Sequence, residues 1–167
     1  QFGHAVAISG DTTVIGGTNY GLNLSGSVYV FTRSDGVWSQ EQKLTAIDGS
    51  VGDQFGHAVA ISGDAAVVGA WGDDDNGSRS GSAYVFARNS SIWAQQQKLT
   101  ASDADEGDWF GYSVTISGDT ALIGAWREGE DLHSGSAYVF TRSDSVWAEQ
   151  QKLIASDVQY DKGFGQY

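Results

Sequence analysis

The 167-residue chain has no cysteine, no proline and no methionine, and only nine lysines and arginines against 21 aspartates and glutamates. Without cysteine there is neither a disulfide framework nor a thiolate zinc site, so stability must come from packing. Without proline the turns fall to glycine, of which there are 23, and glycine turns beside six tryptophans point to many short strands. The shortage of positive charge leaves a formal net charge of −12. That charge repels a phosphate backbone and the anionic inner face of a membrane, which excludes nucleic acid as the expected partner. No apolar run of about 18 residues is present to insert into a bilayer, and no signal-peptide pattern opens the chain. Because it opens at Gln1 in mid-motif and lacks methionine, the expectation is a segment of a longer mature chain.

What is present is a repeat. Phe2-Gly3, Phe55-Gly56, Phe110-Gly111 and Phe164-Gly165 follow one another at spacings of 53, 55 and 54 residues, a period that marks a repeat architecture. Each pair opens a similar run: QFGHAVAISGDTTVIGG, QFGHAVAISGDAAVVGA and WFGYSVTISGDTALIGA, then GSVYVFTR, GSAYVFAR and GSAYVFTR, then VWSQEQKLTA, IWAQQQKLTA and VWAEQQKLIA. Within a unit the pattern predicts a strand of alternating small and β-branched residues at 4–9, a Gly-Asp hairpin into a second strand, a third at 26–33 with apolar residues on both faces, and a fourth at 37–46, polar enough to be an edge. The fold class that follows is all-β, with three four-stranded antiparallel blades of a β-propeller. The strands at 4–9, 57–62 and 112–117 are expected innermost, and those carrying Trp38, Trp93 and Trp147 outermost. The units run 1–53, 54–108 and 109–162, with residues 163–167 beginning a fourth. Seven such periods, the closure usual in the family named below, would need about 380 residues. At least one end face of the three blades is therefore expected to be covered by protein outside the segment.

On these motifs the chain resembles the FG-GAP repeat family, and is more similar to its bacterial variety than to integrin α-subunit blades. Phe55-Gly56 followed by Val67-Val68-Gly69-Ala70 is the best copy; Gly16-Gly17 replaces Gly-Ala in the first unit, and Thr18, Trp71 and Trp126 stand where the family has proline. The resemblance implies an extracellular or cell-surface module without catalysis. The integrin calcium loop, Asp-x-Asp-x-Asp-Gly, is missing, because the turns at Asp11, Asp64 and Asp119 are too short to wrap an ion that takes six to eight oxygens. Kelch propellers compete through Gly16-Gly17, Tyr29 and Trp38, but that glycine pair does not recur while Phe-Gly does.

Recurrent positions are assigned to the fold, and variable ones carry the candidate sites. The stretches at 18–26, 71–81 and 126–135 join the second and third strands at one end of the blades. Asp73, Asp74, Asp75 and Asn76 in the second of them, and Asp103, Asp105, Glu106 and Asp108 between blades, are oxygen-rich candidates for Ca2+. Arg79 stands where an EF-hand loop wants glycine, however. Trp71, Trp109 and Trp126 are candidate platforms for sugar rings, with the filling of gaps between blades as the plainer alternative. Asn23, Asn76 and Asn89 head glycosylation sequons. His4 and His57 share one repeat position and read as structural, leaving His133 alone among loop acids and no catalytic set. The expected function is a non-enzymatic adhesion module binding a protein or glycan. A subunit built by blade stacking into a filament or multi-chain propeller, and a lectin-like propeller, are the alternatives.

Overall fold

In the computed structural model, residues 1–18, 25–127 and 135–156 are described. They form twelve strands: β1 (Phe2–Ser9), β2 (Thr12–Gly17), β3 (Ser27–Ser34), β4 (Val37–Leu44), β5 (Ala58–Ser62), β6 (Ala65–Ala70), β7 (Ser82–Asn89), β8 (Ile92–Leu99), β9 (Phe110–Ser117), β10 (Thr120–Ala125), β11 (Ser136–Ser143) and β12 (Val146–Leu153). These make three four-stranded antiparallel sheets, each in chain order, β1-β2-β3-β4, β5-β6-β7-β8 and β9-β10-β11-β12. The predicted blades are thus present, with the small-residue strand at one margin and the tryptophan strand at the other. The innermost strands of the first and third blades start earlier than the pattern predicts, because Phe2 pairs with Gly17 and Phe110 with Ala125 across a bulge. Another irregularity recurs in the outer pair of every blade, at Val30/Phe31, Val85/Phe86 and Val139/Phe140.

Strand alternation gives each blade two unlike faces. One is aliphatic: in the first blade the register Ala7↔Val14↔Val30↔Gln42 crosses all four strands. The other is aromatic, and carries Phe55, Tyr84, Phe86 and Trp93 in the second blade. The core consists of one face against the other. The aliphatic face of blade one packs on the aromatic face of blade two through Val14, Val28, Val30, Phe55, Val68 and Tyr84. Blade two packs on blade three in the same way through Val67, Val85, Phe110, Ile123 and Tyr138. Burial of both faces of the middle blade accounts for its near-continuous apolar strands, as β6 is buried throughout.

The Phe-Gly pair is what joins blades. The Phe55 ring lies edge-on to Tyr84 and Phe86 of its own blade, at 5.5 and 5.9 Å. Its main-chain N–H donates across the junction to the Ser25 carbonyl at 2.8 Å, and Gly56 N–H donates back within its own blade to Gly69 at 3.1 Å. Phe110 repeats the crossing, with its N–H donating to Ser80 at 2.9 Å. Two glycine positions are forced by this path. Gly56 and Gly111 take φ of +87° and +83°, which side chains disfavour. Gly16 and Gly69 lie so close to the next blade that an added Cβ would stand 2.1 Å from the Gly56 oxygen and 1.9 Å from the Gly111 oxygen. Gly69→Ala therefore has to push two blades apart and should cost about 3 kcal/mol or more. Gly63→Ala, at a hairpin where a Cβ meets nothing within 4 Å, should cost only about 1 kcal/mol of left-handed backbone strain. Urea unfolding of the two variants checks the difference.

Candidate functional site

The loop between β6 and β7 is built around one buried carboxylate. Asp73 accepts hydrogen bonds from the Ser82 hydroxyl at 3.0 Å, the Tyr84 hydroxyl at 3.0 Å and the Asp75 main-chain N–H at 3.2 Å. It also meets the Lys98 ammonium at 2.9 Å, and the same ammonium reaches Asp48 at 2.9 Å and Asp75 at 2.5 Å. Burial alone would lower the Lys98 pKa, but bonds to Asp75, Asp48 and Asp73 outweigh it and hold the group charged. Asp74 instead caps the loop, accepting from Arg79 N–H at 2.7 Å. The cation among the predicted oxygens of Asp73 and Asp75 is thus a lysine, and calcium would have to displace it.

The second acidic stretch repeats the device. Asp103 accepts from the Tyr138 hydroxyl at 2.8 Å and pairs with Lys152 at 2.6 Å. Burial would raise its pKa, yet bonding to Lys152 and Tyr138 leaves it lowered. Asp108 is buried and accepts from Asp105 N–H at 2.7 Å; Asp105 in turn accepts from Glu106 N–H at 2.7 Å. The two acidic loops lie against each other, Gly107 N–H donating to Ser78 at 2.9 Å. Among the described residues no three His, Asp or Glu side chains are grouped to hold a metal ion. The hairpin aspartates Asp11, Asp64 and Asp119 face Arg33, Arg88 and Arg142, with Arg Nε–Asp distances of 2.7 Å in all three blades. The lysines were the residues missed from the pattern. Their signal was present, since Lys98 and Lys152 follow Asp48 and Asp103 by nearly one period.

The three variable tryptophans converge. Trp71 and Trp109 lie 4.5 Å apart by ring centroid, Trp109 and Trp126 5.1 Å, and Tyr112 closes the group at 4.9 Å from Trp126. His57 joins at 4.8 Å from Tyr112 and 5.9 Å from Trp71, and His4 lies 4.8 Å beyond it. Arg127 sits over the Trp109 ring at 4.9 Å. Backbone geometry presents Trp109, whose φ of +61° is shared by Gln54 (+59°) at the equivalent place before Phe-Gly. Among the described residues, four buried polar atoms at this end have no hydrogen-bond partner: Thr18 Oγ1, Trp71 Nε1, His57 Nδ1 and Gln54 Oε1. Burial, with His4 beside it, pushes the His57 pKa down to about 4, so its ring is neutral at pH 7. His57 and Tyr112 share the repeat position read as purely structural, and their part in the cluster was not visible from spacing alone. Asn76 and Asn89 are exposed, while Asn23 and His133 lie outside the described residues.

Consecutive four-stranded blades stacked face to face define a β-propeller segment. The FG-GAP repeat model matches residues 1–31, 38–86 and 93–140. The chain belongs to the FG-GAP repeat family. No curated protein matches it. Among solved structures, the X-ray structure of a hypothetical selenium-binding protein from Sulfolobus tokodaii is similar over 90% of this chain, at 12% identity and a TM-score of 0.52. At that identity the likeness is one of fold, and this chain spans 42% of that protein's length.

Substitutions at Lys98, Asp73 and Asp53 test the electrostatics. Lys98→Met strands the buried Asp73 carboxylate and should lower stability by about 3 kcal/mol at pH 7, with Asp73→Asn in the same chain recovering part of the loss. Asp53, 4% exposed, has its pKa pushed up to about 6, first by burial and further by Asp73. Its folded form binds the proton more tightly than the unfolded chain, so its contribution is full below about pH 4 and is lost as pH rises through about 6. Relative to wild type, Asp53→Asn should become progressively more stable between those limits, as read by denaturant midpoints at each pH.

Proposed function

We propose that the chain is a non-enzymatic adhesion module of an extracellular or cell-surface protein, meeting its partner through the loop end of the blades. The observation that carries this is the convergence there of Trp71, Trp109, Trp126 and Tyr112, drawn from two blades and the segment between them. The blade stack holds the β6–β7 loop beside this cluster, an arrangement suited to recognition. Membership of the FG-GAP repeat family supports it, because propellers of this kind are generally non-catalytic and are typical of surface proteins. Among the described residues no helix is long and apolar enough to cross a membrane. The localisation is tested by antibody labelling of intact cells: signal is expected without permeabilisation, and signal only after permeabilisation overturns the surface assignment.

The same cluster favours a glycan as the partner. Indole and phenol faces stack on the apolar faces of sugar rings. The unpartnered Trp71 Nε1 donor and the Gln54 Oε1 acceptor offer hydrogen bonds to hydroxyls. A binder on a glycan array should shift the tryptophan fluorescence, and Trp109→Ala should weaken its binding at least tenfold, about the worth of one lost aromatic hot spot. An array with no binder above background, together with unchanged fluorescence, removes the glycan reading and leaves a protein partner.

A further inference from the structure

The end of the blades that carries the aromatic cluster is built from equivalent positions at both internal junctions, and the two junctions fill it differently. Thr18, Trp71 and Trp126 follow the second strand of their blades, Gln54 and Trp109 precede Phe-Gly, and His57 and Tyr112 follow it. The backbones agree. Gly72 N–H donates to Asp53 and Arg127 N–H to Asp108, each at 3.1 Å, while His57 and Tyr112 N–H donate to Gln54 and Trp109 at 3.0 and 3.2 Å. A Cβ on Gly56 or Gly111 would stand 3.4 Å from the Gly17 nitrogen and 3.2 Å from that of Ala70, which puts the next residues, Thr18 and Trp71, in equivalent places. Between blades two and three the space is closed by rings: Trp71 and Trp126 flank Trp109 at 4.5 and 5.1 Å, and Tyr112 lies 5.9 Å from Trp109 and 6.4 Å from Trp71. Between blades one and two the same places hold Thr18, Gln54, Trp71 and His57. Two indoles are replaced there by the shorter threonine and glutamine, and Thr18 Oγ1, Gln54 Oε1, His57 Nδ1 and Trp71 Nε1 are buried without a partner. The other such atoms among the described residues, Glu41 Oε2 and Trp93 Nε1, are on the outer strands β4 and β8. Orphaned polar atoms are few in folded proteins, so four at one junction mark a niche for a polar guest.

We infer that this niche binds adjacent hydroxyl groups of a neutral sugar unit, with Thr18, Gln54, His57 and Trp71 selecting them. The inference rests on the glycan reading above, and goes beyond it by adding a separate polar subsite next to the aromatic platform and the residues that set its specificity. Donor and acceptor chemistry chooses the guest. Trp71 Nε1 can only donate, Gln54 Oε1 can only accept, and the Thr18 hydroxyl does either. His57 is neutral at pH 7, so its Nδ1 accepts when the ring proton sits on Nε2. A carboxylate or phosphate brings acceptors alone and sets them against the Gln54 and His57 acceptors. An ammonium brings donors alone and leaves the indole N–H unmet. None of the four side chains carries a charge to compensate either ion. A hydroxyl donates and accepts at once, so one answers an acceptor and the indole N–H, and its neighbour answers the remaining acceptor and Thr18. Trp71 belongs to both junctions, its ring edge-on to His57 at 5.9 Å and 4.5 Å from Trp109. A sugar held in the niche by its hydroxyls is therefore adjacent to the platform that stacks on an apolar sugar face. Unmet polar groups cost stability in the free protein, and binding removes that cost.

The test is titration of the protein with the methyl glycosides of glucose, galactose and mannose, followed by the indole N–H resonance of Trp71, which is assigned by its loss in Trp71→Phe. At least one glycoside should shift it. Deoxy analogues lacking either of two neighbouring hydroxyls should bind about tenfold more weakly, the size of one lost hydrogen bond. Thr18→Val and Gln54→Leu each remove one orphaned atom with little change in size. Each should weaken the glycoside about tenfold, while the urea midpoint stays unchanged or rises because no hydrogen bond within the protein is lost. Trp109→Ala separates this inference from the glycan reading. Affinity that falls with Trp109→Ala but not with Thr18→Val or Gln54→Leu overturns the niche and keeps the platform. No shift of Trp71 with any glycoside also overturns the niche, and a blank glycan array overturns the glycan reading with it. A shift with acetamide and none with the glycosides overturns it in favour of an amide-bearing partner. Variants that lower the urea midpoint and leave glycoside affinity unchanged overturn it too, since the niche then holds structural water only.

Discussion

The close approach of two backbones at each blade junction is the constraint on which the rest depends. The segment bearing Phe55-Gly56 runs against Gly16 and Gly26 so tightly that a Cβ on either would overlap its carbonyl oxygens, at 2.1 and 2.0 Å. An approach that close leaves no room for a Cβ at Gly16 or Gly26, and it fixes the depth at which the aromatic face of one blade enters the aliphatic face of the last. Once that depth is set, the aromatic rings are placed to fill the gap, and Gln42 on β4 meets the main chain of Trp93 in the next blade, donating to its carbonyl at 2.7 Å and accepting from its N–H at 2.9 Å. The defining glycines of the repeat therefore act in pairs from neighbouring blades. A single repeat holds half of each contact, which is why such units are stable only when stacked.

The fold was legible in the sequence because its signals are local and repeated. Alternation in HAVAIS, the Gly-Asp hairpin and the two-sided apolar strand GSAYVFAR each recur at a fixed offset, so strand number, order and the outer position of Trp93 could be read directly. What was less legible was which strand residue each loop acid meets. The acids Asp73, Asp75 and Asp103 look like cation ligands in the linear sequence, but the lysines that meet them lie 23 to 49 residues further along. Strand pairing within blade two brings Asp73 and Asp75 to Lys98, and the segment entering blade three brings Asp103 to Lys152, so spacing within one loop carries no trace of either. The aromatic cluster is an intermediate case. Variation at Trp71, Trp109 and Trp126 marked them as special, while the inclusion of Tyr112 and His57 follows only from the side-by-side packing of the inner strands.

Charge and aromatic surface are thereby divided between two jobs. Beside the junctions, carboxylates meet tyrosine and lysine, buried at Asp73–Tyr84–Lys98 in the β6–β7 loop and exposed at Asp103–Tyr138–Lys152 in the segment between blades two and three. There the acidic residues tie the segments between blades to the stack. At the loop end, neutral His57 and the tryptophans leave polar atoms unmatched. Unmet hydrogen-bonding capacity of that kind costs stability, and it is the feature of this end that a ligand would relieve.

The central claim, that the Phe-Gly segment is a structural crossing between blades and not a surface loop, is tested most directly by amide hydrogen exchange. The N–H groups of Phe55 and Phe110 donate to Ser25 and Ser80 of the preceding blade, so they should be protected as strongly as the strand amides of β6 and β7. Exposed Phe2 should exchange far faster. Exchange of Phe55 and Phe110 at the rate of an open loop, in a chain whose strands stay protected, would contradict the account.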